Sequence, residues 1–286
     1  MNVFFLGFGH CAEAVVRGAP EIAPSGTART EAKVAALRAV GVEAFVFDGE
    51  RVGPGLEEAL GKAEALIVSI PPRGEGALAV LGGAVARAPS LRRIVYYSTV
   101  GVYGEHGGAW VDEDSETRTD APRSLSRLAE ERRWTEAGRA RGADVDILRL
   151  PGIYGPGRNA LVRLREGTRR IVKPGHVTNR AHVDDIAQVT RLVLATGLPG
   201  RIWNVADDDP APPQDVILFA ADLLGVPPPP EETFDPATMT DMAASFFADE
   251  KRVSNARAKA LLGFAPRYPT YREGLRALFA AGEGRT

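Results

Sequence analysis

The chain begins with an apolar run and a glycine turn, Val3-Phe4-Phe5-Leu6-Gly7-Phe8-Gly9-His10-Cys11-Ala12. Four consecutive apolar residues are typical of a strand that is buried on both faces of a sheet. The spacing that follows matches Gly-x-Gly-x-x-Gly/Ala, the turn that joins such a strand to a helix. A turn of this kind either serves only as a connection or contacts the diphosphate of a dinucleotide.

The second interpretation gives each small residue of the turn a task. Gly7 permits the tight turn, Gly9 lets the backbone approach a diphosphate, and Ala12 leaves room for the helix to pack on the strand. The helix start adds a partial positive charge. We therefore predict dinucleotide contacts from Gly7, Phe8, Gly9, His10, Cys11 and Ala12. The thiol of Cys11 is interpreted as a small packing group and not as a nucleophile.

The residues about 20 positions after the turn bear on the form of the dinucleotide. NAD sites place an acidic residue there to bind the ribose 2′-hydroxyl, whereas this chain has Ser25-Gly26-Thr27-Ala28-Arg29-Thr30. The guanidinium of Arg29 suits a 2′-phosphate, with the hydroxyl of Thr27 or Thr30 beside it. We predict NADP(H) in preference to NAD(H); the alternative is that Arg29 is a solvated charge.

Short apolar runs alternate with helical patterns through the first half of the chain, which is typical of a parallel sheet. The runs lie at 3–6, 44–47, 65–68, 93–97 and 145–150, and a further strand is predicted within 21–28. Helical spacing covers 11–18, 31–40, 74–87 and 125–141. This pattern predicts an α/β fold over residues 1–150, with a doubly wound parallel sheet of the Rossmann type.

After Pro151 the elements become shorter and proline is more frequent. Helices are predicted at 182–196, 214–224, 254–262 and 271–281. We expect residues 151–286 to form a smaller mixed α/β region that binds the substrate, with segments at about 180–205 returning to the core.

Composition narrows the range of partners. The 286 residues are 44% hydrophobic and 25% charged, as in an ordinary globular protein. A net charge of -2 gives no general attraction to nucleic acid or to an anionic membrane, so we predict a small-molecule partner. Four scattered histidines and one cysteine form no metal-ligand pattern, and the single cysteine suits the reducing cytoplasm. The apolar start is interpreted as a strand and not as a signal peptide, and no run reaches the roughly 20 apolar residues that cross a bilayer.

Three later segments carry a family resemblance. They are Tyr97-Ser98-Thr99-Val100-Gly101-Val102-Tyr103-Gly104, Leu150-Pro151-Gly152-Ile153-Tyr154-Gly155-Pro156-Gly157-Arg158 and Asn179-Arg180-Ala181-His182-Val183-Asp184-Asp185-Ile186-Ala187. In this order they resemble the extended and atypical short-chain dehydrogenase/reductases, a group that includes nucleotide-sugar epimerases and dehydratases. The resemblance spans nearly the whole chain. It implies a homodimer that forms through two helices next to the central strands.

The resemblance also implies roles for individual residues. Thr99 would assist catalysis by hydrogen bonding to a substrate oxygen, and Tyr154 would lie beside the nicotinamide. For the cofactor it implies Asp48 at the adenine and Ser69, Ile70 and Pro71 at the ribose. For the substrate it implies Asn179, Arg180, His182, Lys251 and Arg252. The alternative for His182 is a helix-start histidine that stabilises the fold, and the alternative for Lys251 and Arg252 is that they are surface charges.

One motif of the family is changed in this chain. The family uses Tyr-x-x-x-Lys for proton transfer, and the matching residues here are Arg123 and Arg127. An arginine cannot donate and recover a proton near neutral pH, so Arg123 cannot replace the tyrosine. Arg127 remains suited to the ribose or to a phosphate. The proton would have to come from Tyr103 or Tyr154, or from water or the substrate.

Two functional hypotheses follow from these observations. The first is an NADP(H)- or NAD(H)-binding oxidoreductase, or an epimerase/dehydratase relative, that acts on a small polar substrate such as a nucleotide sugar. The second is a non-catalytic protein that senses NADP(H) and reports to a partner. The missing tyrosine favours the second hypothesis, whereas the retained Thr99, Tyr154 and Arg180 favour the first. Only the geometry of the site can decide between them.

Overall fold

The computed structural model describes residues 1–240, 244 and 246–285. The chain divides into two compact units. The first unit consists of Met1–Val102, Ala121–Arg149 and Ala187–Trp203, and the second consists of Tyr103–Asp120, Leu150–Ile186 and Asn204–Thr286. The chain therefore leaves the first unit after Val102 and enters it again at Ala121. The first exchange between the units thus comes well before Pro151, where the sequence predicts the start of the second region.

The first unit is built around a sheet that has seven strands within the described residues. The strands, numbered along the whole chain, are β1 (Asn2–Leu6), β2 (Ala23–Ala28), β3 (Glu43–Val46), β4 (Ala65–Val68), β5 (Arg93–Thr99), β7 (Asp144–Leu150) and β11 (Ile202–Asn204). Their order is β11-β7-β5-β4-β1-β2-β3, and the neighbours from β3 to β5 pair in parallel. This order confirms the predicted doubly wound sheet of the Rossmann type. From β1 the chain adds strands first on one side (β2 and β3) and then on the other side (β4, β5 and β7), so the strand order reverses between β1 and β4. Open sheets of this kind bind ligands at the carboxyl ends of the strands beside that point.

Helices follow the strands because each apolar run is succeeded by a segment with helical periodicity. The helices of this unit are α1 (His10–Arg17), α2 (Glu31–Ala39), α3 (Leu56–Gly61), α4 (Ala77–Arg87) and α5 (Pro122–Arg141). They bury the sheet in a core that includes Phe4, Leu6, Leu66, Ile94 and Trp134. The first turn of α2 is capped by Thr30, whose hydroxyl accepts a hydrogen bond from the Lys33 amide over 3.3 Å.

All six predicted strands of the first half are present, and β2 lies inside its predicted range. The predicted helix at 74–87 begins only at Ala77, because Gly74 and Gly76 have φ angles of 52° and 81°, outside helical geometry. Helix α3 was not predicted, since six residues are too few to give a clear periodicity.

The second unit contains short strands in parallel pairs. They are β6 (Trp110–Val111) with β13 (Arg252–Val253), β8 (Gly152–Tyr154) with β10 (Arg180–His182), and β9 (Arg170–Val172) with β12 (Glu231–Thr233). Strand β10 leads into α7 (Val183–Ala195), which belongs to the first unit from Ala187 onward. The helices that lie within the second unit are α6 (Ala160–Arg165), α8 (Pro213–Leu224), α9 (Ala256–Leu262) and α10 (Tyr271–Ala280). A separate core joins α6, α8 and α10 through residues such as Leu161, Ile217 and Leu275.

Candidate functional site

The glycine turn after β1 is fixed in place by its neighbours. Gly7 has a φ angle of 100°, and a Cβ atom there would lie 2.7 Å from the side chains of Ser69 and Ile70, so only glycine fits. The Gly7 amide donates to Thr27 Oγ1 over 2.9 Å, and Ser69 Oγ donates to the Gly7 carbonyl over 2.7 Å. The turn is therefore tied to the ends of both β2 and β4.

The next glycine faces open space. Gly9 is the N-cap of α1, and no atom lies within 4 Å of the position that a Cβ atom would occupy. This side of the turn also carries the partial positive charge of the helix start. The backbone at Gly9 is thus accessible to an anionic group, whereas the backbone at Gly7 is packed against the protein.

Phe8 and Thr27, two of the predicted cofactor contacts, make hydrogen bonds within the protein. The Phe8 ring is buried and packs edge-on against Phe5, with 5.1 Å between ring centroids, while the Phe8 amide donates to the Thr27 carbonyl over 2.7 Å. Thr27 is only 1% exposed, and its hydroxyl already accepts the Gly7 amide. Both residues therefore stabilise the turn, and their predicted contacts with the cofactor stay predictions. The predicted contacts of His10, Cys11 and Ala12 stay predictions.

Charged residues follow β2 and β3 at the same edge of the sheet. Arg29 is exposed and has no ion pair or hydrogen bond among the residues that the structure describes. Asp48 is exposed too, and its Oδ1 atom accepts the amides of Arg51 and Glu50 over 2.8 and 3.1 Å. These hydrogen bonds, led by the one from Arg51, lower the pKa of Asp48. The edge thus carries an unpaired guanidinium beside β2 and an ionised carboxylate after β3.

Arg127 lies at the carboxyl ends of β4 and β5. Its Nη1 atom donates to the Tyr97 carbonyl over 2.8 Å and to the Tyr96 hydroxyl over 3.3 Å. It also reaches the Ile70 carbonyl over 3.4 Å. Burial raises the pKa of Tyr96 to about 12, so that hydroxyl stays protonated. These contacts hold the guanidinium in position. Because all three use Nη1, the Nη2 and Nε atoms keep their donors for a ligand.

Two hydroxyl groups flank Gly101 at the end of β5. Thr99 is half-buried, and its Oγ1 atom accepts the Gly101 amide over 3.1 Å. A Cβ atom at Gly101 would lie 2.7 Å from Ser124 Oγ and 3.3 Å from Thr99 Oγ1. Arg123, at the position of the family's tyrosine, is exposed. Ser124 was not among the predicted site residues, although its spacing of three residues from Arg127 places both on one face of α5.

The hydroxyl groups of both predicted tyrosines are buried. Tyr103 is fully buried and its hydroxyl donates to Asn204 Oδ1 over 2.8 Å. The Tyr154 hydroxyl is buried as well, and its oxygen lies 2.1 Å from the position that a Cβ atom of Gly274 would occupy. Burial raises the pKa of Tyr154, and the nearby Asp207 adds to this effect. The catalytic roles of Tyr103 and Tyr154 stay predictions, and in this structure both hydroxyls are enclosed within the second unit.

The buried residues predicted to bind substrate also stabilise the second unit. Arg180 donates to Thr178 Oγ1 and to the Ala211 carbonyl over 2.7 and 3.0 Å. His182 accepts the Asp184 amide over 3.1 Å at the start of α7 and packs between Tyr154 and Tyr268. The substrate roles of Arg180 and His182 stay predictions. The hydrogen bond of His182 also agrees with the alternative of a helix-start histidine that stabilises the fold.

The segment from Lys251 to Val253 is likewise held by hydrogen bonds within the second unit. The Lys251 ammonium is buried and donates to the Gly104 carbonyl over 2.9 Å and to Asp249 over 3.2 Å. Asn179 bridges to this segment through the Lys251 carbonyl and the Val253 amide. The charge of Lys251 is thus enclosed and paired, and its predicted contact with the substrate stays a prediction. The contacts predicted for Asn179 and Arg252, which are half-buried, stay predictions.

Asp207 is a buried carboxylic acid that was not among the predicted site residues. It is 4% exposed, and neither carboxyl oxygen accepts a hydrogen bond of ordinary geometry. Burial raises the pKa of Asp207 to about 8, and the Arg180 guanidinium and the Asp209 amide oppose this only in part. Asp207 is therefore largely protonated near neutral pH.

No group of three or more potential metal ligands occurs within residues 1–240, 244 and 246–285. Among the same residues, the helices fall short of the length and apolarity that crossing a bilayer requires.

The chain is similar to a known protein family in its sequence and to solved structures in its fold. Residues 73–206 match the model of the NAD dependent epimerase/dehydratase family. A functionally unknown conserved protein from Silicibacter pomeroyi DSS has a solved structure that is 42% identical, with a TM-score of 0.89 and 99% of each chain covered. A 3-diazoavenalumate denitrifying reductase from Streptomyces sp is 29% identical over 206 residues, which are 66% of each chain.

A more distant solved structure shares the fold. The UDP-glucuronic acid 4-epimerase from Bacillus cereus, in complex with UDP-glucuronic acid and NAD, has a TM-score of 0.75 and 16% identity over 98% of each chain. At this identity the similarity concerns the fold alone. The family match, the relative that covers nearly the whole chain and the observed sheet order agree with one another. The chain therefore belongs to the NAD-dependent epimerase/dehydratase family.

Proposed function

We propose that this protein binds a nicotinamide dinucleotide and acts as an oxidoreductase or epimerase-type enzyme on a small polar substrate. The observation that carries the proposal is the contrast between Gly7, packed against Ser69 and Ile70, and Gly9, which faces open space at the start of α1. A diphosphate needs this kind of exposed backbone beside a helix start. The turn also lies after β1, next to the point where the strand order reverses.

The remaining residues of the sheet edge fit the rest of the dinucleotide. Arg127 and Ser69 would hold the nicotinamide ribose, and Asp48 would accept a hydrogen bond from the adenine. In the Bacillus cereus epimerase, which shares this fold, the bound cofactor is NAD. When bound, the nicotinamide would supply the hydride chemistry, while the protein supplies position and hydrogen bonds.

For this chain we propose NADP(H) in preference to NAD(H). The stretch from Ser25 to Thr30 contains no acidic residue to bind a ribose 2′-hydroxyl. Arg29 is exposed and unpaired among the described residues, so its guanidinium is available to a 2′-phosphate. Thr30 caps α2 with its hydroxyl, which leaves the charge of Arg29 as the feature that would select the phosphate.

We propose a substrate that carries a carbonyl group or an oxidisable hydroxyl group. The Streptomyces relative is a reductase, and the Bacillus cereus epimerase binds UDP-glucuronic acid. These two names support small carbonyl compounds and nucleotide sugars as the classes to test first. Thr99, at the end of β5, would hydrogen bond to the oxygen of the reacting carbon.

A second function, dinucleotide sensing without catalysis, is favoured by one observation. Arg123 replaces the family's tyrosine, and both alternative tyrosines have enclosed hydroxyls. Tight NADPH binding without turnover of any tested carbonyl compound or nucleotide sugar would select this second function.

The proposal is tested by titrating the purified protein with NADPH and with NADH and following nucleotide fluorescence. We expect saturable binding of both, with NADPH bound more tightly. Replacing Arg29 by alanine should weaken NADPH binding at least tenfold and leave NADH binding nearly unchanged, because only NADPH carries the 2′-phosphate.

Arg92→Ala provides a matched control, since Arg92 is an exposed arginine just before β5, at the opposite edge of the sheet. It should bind both dinucleotides like the wild type. Absence of saturable binding of either dinucleotide would contradict the proposed function. Equal affinity for the two, unchanged in Arg29→Ala, would contradict only the NADP(H) preference.

A further inference from the structure

The inward face of α5 begins at Ser124 and not at Arg123. Glu131, Trp134 and Gly138 of this helix are buried, and Ser124 and Arg127 precede them at helical spacing on the same side. Arg123, where the family has its tyrosine, points to solvent. The first side chain of α5 that turns toward β5 is therefore a hydroxyl one residue after the missing tyrosine.

The hydroxyl group of Ser124 differs from those of its neighbours in its hydrogen bonding. Ser126 donates to the Pro122 carbonyl over 2.9 Å, and Thr135 donates to the Glu131 carbonyl over 2.7 Å, as serine and threonine commonly do in helices. Ser124 has no hydrogen-bond partner among the residues that the structure describes. Its O–H is therefore available to a group outside the chain.

The hydroxyl group of Thr99 is available in the same sense. Its oxygen accepts the Gly101 amide, so the proton of that hydroxyl is directed away from this bond. Gly101 has no side chain, and a Cβ atom there would come within 2.7 Å of Ser124 Oγ and 3.3 Å of Thr99 Oγ1. Both donors thus lie on one side of Gly101, at the carboxyl end of β5.

Charge at this point favours an electron-rich ligand atom. Ser124 is the third residue of α5, within the first turn, where the helix dipole is positive. Arg127 adds a fixed cation one turn later, held by the Tyr97 carbonyl. A carbonyl oxygen that gains negative charge during reduction is stabilised by such donors and dipoles.

We propose that Ser124 and Thr99 together donate hydrogen bonds to one oxygen of the substrate, the oxygen on the carbon that exchanges hydride. Ser124 thereby supplies the hydrogen bond that the absent tyrosine would have made. A serine hydroxyl is a weak acid, so it positions and polarises this oxygen and is not itself the source of the proton. This inference rests on the proposed function and names a residue of its site.

The test compares Ser124→Ala with Ser126→Ala, a matched control on the outer side of the same helix. The assay follows NADPH oxidation with methylglyoxal and with glyceraldehyde. In parallel, calorimetry follows UDP-glucuronic acid binding to protein loaded with NADP⁺. We expect Ser124→Ala to lower turnover about 100-fold, as for loss of one donor to a developing oxyanion. It should also weaken the binding of whichever probe the wild type accepts. Ser126→Ala should behave like the wild type in both assays.

A conservative variant and a cofactor titration complete the test. Ser124→Thr keeps a hydroxyl at this position and should recover at least a tenth of the wild-type turnover. NADPH affinity should be the same in all variants, because Ser124 lies away from the glycine turn. The inference is overturned if Ser124→Ala equals Ser126→Ala, or if the wild type binds NADPH but neither turns over nor binds any probe. Loss of NADPH binding in the wild type would instead overturn the proposed function on which the inference rests.

Discussion

Gly7 and Gly9 are identical in sequence terms but differ in what surrounds them. Gly7 needs its positive φ angle and has no room for a Cβ atom, whereas Gly9 has extended backbone angles and open space. The fold therefore requires glycine at the first position only. At the second position, glycine serves the ligand that approaches the backbone.

Replacing Gly9 by alanine should separate ligand binding from stability. We expect the thermal midpoint of Gly9→Ala to remain within a few degrees of the wild type, because the added methyl group meets no atom of the protein. Dinucleotide affinity should fall at least tenfold, since the methyl group occupies the space that a diphosphate would fill. Calorimetric melting and a fluorescence titration measure the two quantities.

Gly7→Ala is the contrasting variant. It should lower the free energy of unfolding by more than about 1 kcal/mol, because a positive φ angle and a contact with Ile70 are both imposed on the alanine. If instead Gly9→Ala binds dinucleotide as tightly as the wild type, the diphosphate does not lie at this turn.

At the scale of the elements, α5 is joined to the sheet by a buried ion pair. Arg149 on β7 donates through Nε and Nη2 to the two carboxyl oxygens of Glu131, over 3.2 and 2.8 Å. Ser98 on β5 donates to the same carboxylate. One carboxylate thus joins a helix to two strands and fixes the rotation of α5, which in turn sets the directions of Ser124 and Arg127.

Removing the Glu131 carboxylate should lower the free energy of unfolding. Glu131→Gln leaves the Arg149 guanidinium buried without a counter-charge, and we expect a loss of about 3–5 kcal/mol in the free energy of unfolding. Urea denaturation followed by circular dichroism measures the loss. Glu136→Gln makes the same change at an exposed position of α5 and should stay within about 0.5 kcal/mol of the wild type. A similar small loss in both variants would show that the pair contributes little.

The raised pKa of Asp207 should make the stability of the protein depend on pH. Its pKa in the folded chain is about 8, against an ordinary value of 3.8. Between these two values the folded chain retains a proton that the unfolded chain has released. The contribution of this group to stability is therefore full below about pH 4 and is lost as the pH rises through about 8.

Asp207→Asn should remove this dependence, because the amide does not titrate and resembles the protonated acid in shape. Between pH 6 and 8 we expect the wild type to lose up to about 1.4 kcal/mol per pH unit from this group, and the variant to lose much less. The window starts at pH 6 because burial also raises the pKa of Asp185 to about 6. Urea midpoints at several pH values measure the slope. Asp222→Asn, at an exposed position of α8, should keep the wild-type slope; equal slopes in all three proteins would contradict the prediction.

Local pattern alone determined the six strands predicted in the first half of the chain, four of the helices between them and the glycine turn after β1. Apolar periodicity and glycine spacing are properties of neighbouring residues, so they can be recognised without a structure. The departure at Arg123 was equally visible, because a motif is a local feature.

Only the tertiary structure decided which polar groups remain available to a ligand. Tyr154 and Arg180 match the family, yet the first is enclosed at Gly274 and the second donates to Ala211, which are distant in the chain. Ser124 matches no motif, yet the rotation of α5 turns it toward Thr99. Burial and hydrogen bonding depend on contacts between segments far apart in the sequence, and no local pattern records those contacts.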